Sequence, residues 1–135
     1  MQRNSVIVAA KRTPIGAFQG QFASLSASDL GASVIKQVLI DAKIQSDHID
    51  EVIMGNVLSA GQGQAPARQA LIKSGCPNTI ESLTINKMCG SGLKAVMLAD
   101  QTIRSGDADV IIAGGMESMT NSPYLIEDAR SGQRL

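Results

Sequence analysis

An α/β fold built on a mainly parallel sheet is the architecture this sequence predicts, on three observations. Short apolar or β-branched runs alternate with segments of helical periodicity, glycines bound the runs, and the order strand, helix, strand, helix, strand, helix, strand is the one that builds parallel sheets. At 135 residues, 44% of them hydrophobic, the chain is large enough for one compact core and ordinary enough for a single domain.

The elements follow in order. Val6-Ile7-Val8-Ala9-Ala10 is an unbroken, mostly β-branched run of the kind that fills a strand buried on both faces, and Lys11-Arg12-Thr13-Pro14-Ile15-Gly16 ends it. Ser26 with Asp29 three residues later makes a capping-box start, after which Leu30, Val34, Ile35, Val38, Leu39 and Ala42 recur at helical spacing. Val52-Ile53-Met54 is a second strand closed by Gly55, and Ser59-Ala60-Gly61-Gln62-Gly63 is a polar, glycine-rich loop. Pro66 suits the first turn of a helix running to Gly75. Leu83-Thr84-Ile85 is a third strand, followed by polar Asn86-Lys87. From Leu93 to Ala99 only Lys94 is polar, so the next helix is expected to be buried nearly all round. Gly106 ends it, and Val110-Ile111-Ile112-Ala113 gives a fourth strand that stops at Gly114-Gly115. Beyond Met116 the pattern becomes irregular to Leu135, with Ser131-Gly132-Gln133-Arg134 near its end, and no repeat or low-complexity tract occurs.

Composition narrows the function. Lys plus Arg number 12 and Asp plus Glu number 12, so there is no net charge to attract phosphate backbones or anionic lipid. One Tyr, two Phe and no Trp leave few stacking platforms, and nucleic acid is not an expected partner. Two cysteines, Cys76 and Cys89, are too few for a secreted disulfide scaffold, and a lone histidine cannot complete a Cys/His zinc set. Ser5 to Ala10 is too short for a signal core or a membrane span. No metal and no membrane association are expected, and the location expected is cytoplasmic.

Cys89 is the residue with chemical promise. On these element assignments it follows a strand and immediately precedes a helix, at the edge where open α/β sheets bind ligands. The unpaired N–H groups of that first helical turn favour a thiolate there. Gly90 and Gly92, lacking Cβ atoms, leave room for an acyl group to approach the backbone and its N–H donors. The plain alternative is a buried cysteine acting as a small hydrophobe. Cys76, in a helix-ending loop between Gly75 and Pro77, has no such setting and is expected to be inert. His48 lies in the acidic connector Ser46-Asp47-His48-Ile49-Asp50-Glu51, where a solvated structural role is expected. A competing pattern is Gly90-Ser91-Gly92-Leu93-Lys94-Ala95, which fits a dinucleotide-binding fingerprint with Glu117 as a ribose-binding acid; it leaves Cys89 without a purpose.

The segment Asn86-Lys87-Met88-Cys89-Gly90-Ser91-Gly92-Leu93-Lys94-Ala95-Val96 resembles the acyl-cysteine region of thiolases, particularly acetyl-CoA acetyltransferases. Lys11 to Gly16 resembles their amino-terminal signature, Gly114-Gly115-Met116-Glu117-Ser118-Met119 the segment after their next strand, and Pro123-Tyr124-Leu125 the start of their loop domain. The resemblance implies a layered α-β-α-β-α fold of two similar halves, of which this chain supplies most of the amino-terminal one: residues 1–118 as an incomplete half-domain and 119–135 as the start of the loop domain.

It further implies acyl transfer between coenzyme A thioesters through a Cys89 acyl-enzyme, making or cleaving acetoacetyl-CoA. Acyl-CoA enters as substrate, no cofactor is needed, and the enzyme is a homo-oligomer, commonly a tetramer. The Gly-His-Pro and Cys-x-Gly motifs of the family do not occur in these residues, and no coenzyme A contact can be placed on them. The resemblance therefore implies that this chain does not turn over alone. An association-only role for a truncated thiolase product, and more remotely a nucleotide-binding module, stand as alternatives. In the family the counterpart of the Leu93–Ala99 helix is covered by the other half, and exposure of such a surface would favour association.

Overall fold

A computed structural model describes residues 3–132; Met1, Gln2 and residues 133–135, where the expected loop-domain segment ends, lie outside the described residues. Three strands form one sheet, β1 (Glu51–Gly55), β2 (Glu81–Ile85) and β3 (Ile111–Gly115), in the order β2-β1-β3. All pairings are parallel, with Val52 opposite Ser82 on one side and Ile112 on the other. Three helices accompany them: α1 (Ala27–Ala42), α2 (Pro66–Lys73) and α3 (Ser91–Ser105).

Strand alternation sorts the core into two layers. Val52 and Met54 of β1 point to one face, where Ala27 and Ile35 of α1 and Ala67, Ala70 and Leu71 of α2 close over them. Ile53 points to the other face and meets Ala95 and Ala99 of α3. Ile35 and Leu71 are almost wholly removed from water, each contributing about 2 kcal/mol. The result is helices, sheet, helix, the α/β arrangement expected.

α1 begins where its sequence signals it should. Ser26 Oγ accepts the Asp29 N–H at 3.2 Å, and Asp29 Oδ2 accepts the Ser26 N–H at 3.0 Å, a reciprocal capping box at the helix start. Lys73 Nζ of α2 lies 2.7 Å from Asp29 Oδ1 and fastens the two helices together. That ammonium and the Ser26 donors hold the Asp29 carboxyl down at about 2.

Two expectations fail. Val6–Ala10 is not a strand: it joins no ladder, and Val6, Ile7 and Val8 are exposed. Ser5 Oγ donates to Asp100 Oδ1 at 2.6 Å and Lys11 pairs with Asp41 at 2.6 Å, so the segment is tied at both ends while its middle stands off. It and the edge strand β3 line one cavity of about 730 Å³. A β-branched run favours extended backbone, but a strand exists only where a neighbouring edge lies within pairing distance. Nor is α3 buried all round. Ala95 and Ala99 face the sheet, whereas Met97 is exposed, and Leu93 (69% exposed) and Val96 border the cavity that the Val6–Ala10 segment also lines.

After β3 the chain is irregular, as expected, apart from single 3₁₀ turns at Met119–Asn121 and Glu127–Ser131. Asn121 Nδ2 donates to the Leu25 carbonyl at 2.8 Å, docking the first of these beside the start of α1. Among the described residues no helix is long and apolar enough to cross a membrane.

Candidate active site

The carboxyl ends of β1 and β2 lead to helices on opposite faces of the sheet, α2 and α3 respectively, so the loops leaving these neighbours diverge. Cys89 stands on the loop leaving β2, one residue before the helix N-cap Gly90, and it is exposed. The buried-hydrophobe alternative for Cys89 is thereby removed. Cys76 is buried at 7% exposure, and its Sγ lies 3.1 Å from the Ser74 hydroxyl.

The loop carrying Cys89 is bound tightly for an exposed turn. Ser91 Oγ accepts the Lys87 N–H at 2.9 Å and donates to the Met88 carbonyl at 2.6 Å, while the Gly90 N–H reaches the Lys87 carbonyl at 3.1 Å. Met88 takes φ +50°, a left-handed conformation that non-glycine residues seldom adopt. Asn86 Oδ1 accepts the Met88 N–H at 3.0 Å.

Close backbone approach seats α3 on the strand ends. A Cβ built on Gly55, the last residue of β1, would lie 2.5 Å from Ser91 Cβ and 2.7 Å from the Ser91 carbonyl carbon. A Cβ on Gly115 would meet Gly92 Cα at 3.2 Å. The two glycines after Cys89 differ from each other, and only Gly92 departs from expectation. Gly90 has open space beside it apart from the Lys87 carbonyl, as an approaching acyl group requires; Gly92 turns to the backbone of Gly114 and Gly115 and serves packing.

Behind the loop lies a polar cluster that sequence patterning does not single out as a unit. Glu117 Oε1 accepts from Asn56 Nδ2 at 2.9 Å and the Leu58 N–H at 3.0 Å, and Oε2 accepts the Val57 N–H at 2.9 Å. Asn56, almost fully buried, also donates to the Met116 carbonyl at 3.1 Å, and Gln62 Nε2 donates to its Oδ1 at 3.2 Å. The Asn56 N–H bonds the Ile85 carbonyl at 3.0 Å and Asn86 Nδ2 the Val57 carbonyl at 3.3 Å, so the ends of all three strands are joined. With both oxygens of Glu117 engaged by protein donors, this carboxylate is not free for the ribose role that the dinucleotide fingerprint would give it. The other glycine pair, Gly61 and Gly63, has φ of +75° and +81°, which accounts for glycine at both places in structural terms.

His48 lies at the far side of the sheet. It closes a 3₁₀ turn just before β1, and the five residues of that strand put about 17 Å between the amino and carboxyl edges. The only histidine is therefore remote from Cys89, and a base for the cysteine is not supplied by it.

Comparison with known proteins adds the following. Residues 5–135 match the sequence profile described as the thiolase N-terminal domain. Over 134 residues the chain is 61% identical to an acetyl-CoA acetyltransferase of Escherichia coli K12, covering 98% of this chain and 34% of that protein. It is 53% identical over 130 residues to an acetyl-CoA acetyltransferase of Pseudomonas aeruginosa, covering 96% of this chain and 33% of the relative. Among solved structures, the Acat5 thiolase of Ascaris suum in complex with coenzyme A superposes with a TM-score of 0.90 at 43% identity, over 93% of this chain and 33% of that one. The chain spans about a third of the length of the relatives it matches.

Proposed function

The chain belongs to the thiolase family through its N-terminal domain, and from that premise we propose that it supplies the nucleophile for acyl transfer between coenzyme A thioesters, with Cys89 carrying the acyl group. The observation that carries this reading is the position of Cys89: exposed, beyond the carboxyl end of a parallel strand and directly before a helix that has no side-chain cap at its N-terminus.

The chemistry follows from the thiol. Cys89 Sγ, as the thiolate, attacks the carbonyl carbon of acetyl-CoA; a carbon–sulfur bond to Cys89 forms, and coenzyme A leaves as its own thiolate. The acyl-cysteine is again a thioester, so its carbonyl carbon stays electrophilic enough for a second acetyl-CoA, deprotonated at its methyl carbon, to attack and release acetoacetyl-CoA. Run backwards, the same steps cleave acetoacetyl-CoA with coenzyme A. The Cys89 N–H helps to hold the oxyanion that develops on the acyl oxygen in both steps. The groups that move protons lie elsewhere in the complete enzyme, since His48 is on the wrong edge of the sheet. Coenzyme A thioesters enter as substrates, and the reaction needs no further cofactor.

On the same reading, residues up to 118 are the first part of the catalytic half-domain and the residues from 119 onward open the loop domain. The complete enzyme is a cytoplasmic homo-oligomer, in keeping with two cysteines that form no disulfide. The outward face of α3, with Leu93, Val96 and Met97, favours a second reading in which these residues act by association alone.

Isotope exchange separates the two. Labelled coenzyme A incubated with acetyl-CoA and the intact protein becomes incorporated into acetyl-CoA, because the acyl-cysteine forms reversibly, and Cys89→Ala lowers that exchange at least about a thousandfold. Exchange that survives in Cys89→Ala would overturn the acyl-transfer reading; exchange absent from the unaltered intact protein would favour association alone.

A further inference from the structure

Resting on Cys89 as the nucleophile, we infer that Asn86 is a positioning residue for it, acting by holding Met88 in the left-handed conformation that aims the cysteine.

Met88 immediately precedes Cys89, so its backbone angles set where the Cys89 N–H and Sγ point. At φ +50° an L-residue is under steric strain, and a methionine that is 66% exposed has little side-chain packing to compensate. Hydrogen bonds must hold it. One peptide group on each side of Met88 is pinned: its N–H by Asn86 Oδ1 at 3.0 Å, and its carbonyl by Ser91 Oγ at 2.6 Å. Ser91 is buried and fixed by the start of α3.

Asn86 needs its own anchor and has one. Its Nδ2 donates to the Val57 carbonyl at 3.3 Å, and the Val57 N–H donates to Glu117 Oε2 at 2.9 Å. The carboxylate at the end of β3 is thus linked, through the loop leaving β1, to the residue before the nucleophile. Asparagine uniquely suits this place among short side chains, offering an acceptor to Met88 and a donor to Val57 from one planar amide.

Single-turnover acylation of Cys89 in the intact protein, followed by mass spectrometry after mixing with acetyl-CoA, tests this. Asn86→Ala is expected to lower the maximal acylation rate about tenfold, roughly the worth of one hydrogen bond, while the half-saturating acetyl-CoA concentration stays within about twofold. Asn86→Asp keeps an oxygen for the Met88 N–H but loses the donor to the Val57 carbonyl, so it is expected to recover only part of the rate, to about threefold below the unaltered protein. Glycine adopts φ +50° freely, so in a Met88→Gly background Asn86→Ala should cost no more than about twofold.

The inference is overturned if folded Asn86→Ala acylates at the unaltered rate, or if Asn86→Ala costs the same factor with and without Met88→Gly, as a merely structural role would give. Should Asn86→Ala fail to fold, Asn86→Asp decides, measured alone and combined with Met88→Gly: a loss of about threefold alone that vanishes with Met88→Gly supports the inference, and an unaltered rate, or a loss equal in both, overturns it. Absence of any acetyl group on Cys89 in the unaltered protein would remove the nucleophile reading itself, a different result from acylation that proceeds indifferent to Asn86.

Discussion

Gly55→Ala is the substitution that most sharply probes how the cysteine loop is seated. Gly55 has no positive φ, so alanine is compatible with its backbone, and the cost is steric alone. The new methyl carbon would lie 2.5 Å from Ser91 Cβ, 2.7 Å from Ser91 C and 2.8 Å from Gly92 N. These separations are roughly 1 Å inside the carbon–carbon contact distance of about 3.5 Å. No flexible side chain can swing aside, because the obstructing atoms are the backbone of α3 and a Cβ attached to it. The first turn of the helix must move, and overpacking of this kind costs about 1–3 kcal/mol, with the upper end expected here.

Urea denaturation of the intact protein reads that cost as a lower midpoint, and with a slope of about 1–2 kcal/mol/M the upper-end cost shifts it by about 1.5–3 M. The displaced turn is joined directly to the loop that carries Met88 and Cys89, so the rate of Cys89 alkylation by iodoacetamide should change as well. Gly75→Ala serves as the control. With φ +87° and no atom within 4 Å of a new Cβ, it meets backbone strain of about 1 kcal/mol and should leave Cys89 alkylation untouched. A Gly55→Ala protein with stability within about 0.5 kcal/mol of the unaltered one and the same alkylation rate would refute the close seating of α3 on β1.

Two further outcomes follow from the polar contacts. Glu117→Gln replaces one accepting oxygen by an NH₂ group that, in either amide orientation, faces a donor, the Val57 N–H at one position or Asn56 Nδ2 and the Leu58 N–H at the other, so it should destabilise the protein by about 2–3 kcal/mol in a denaturation experiment. Asp29 sits at about 2 when folded against an ordinary value of 3.8, so its contribution is complete above pH 3.8 and is lost as pH falls through 2. Asp29→Asn should therefore lower the thermal midpoint at pH 6 and narrow that difference progressively below pH 3.8, as a pH series of melting curves would register.

Local signals in the sequence were enough for the elements whose ends are set locally. The Ser26–Asp29 box starts α1, Pro66 starts α2, Gly106 ends α3, and β1 and β3 end in glycines, all within a residue or two of where the pattern puts them. The run Val6–Ala10 misled for a physical reason: composition reports a preference for extended backbone, whereas a strand also needs a partner edge. α3 misled in the same way. Its apolar residues say that it prefers cover, but among the described residues Ala95 and Ala99 are buried and Leu98 partly covered, while Leu93, Val96 and Met97 stay exposed.

The site divides along similar lines. Cys89 is legible because strand, cysteine and small residues lie in one stretch. The Glu117–Asn56–Val57 cluster is not, since it joins residues some 60 positions apart through backbone donors that no pattern displays. Asn86 was visible only as a polar interruption after a strand. Its use becomes apparent once Met88 is found at a positive φ, a conformation the methionine side chain gives no hint of.

The central claim is that one exposed sulfur, and not the buried one, receives the acyl group. Peptide mapping of the intact protein after brief exposure to acetyl-CoA tests it directly: an added acetyl mass on the peptide containing Cys89, with the Cys76 peptide unmodified, is the result expected. Acetylation found on Cys76 or another side chain while Cys89 stays free would contradict it.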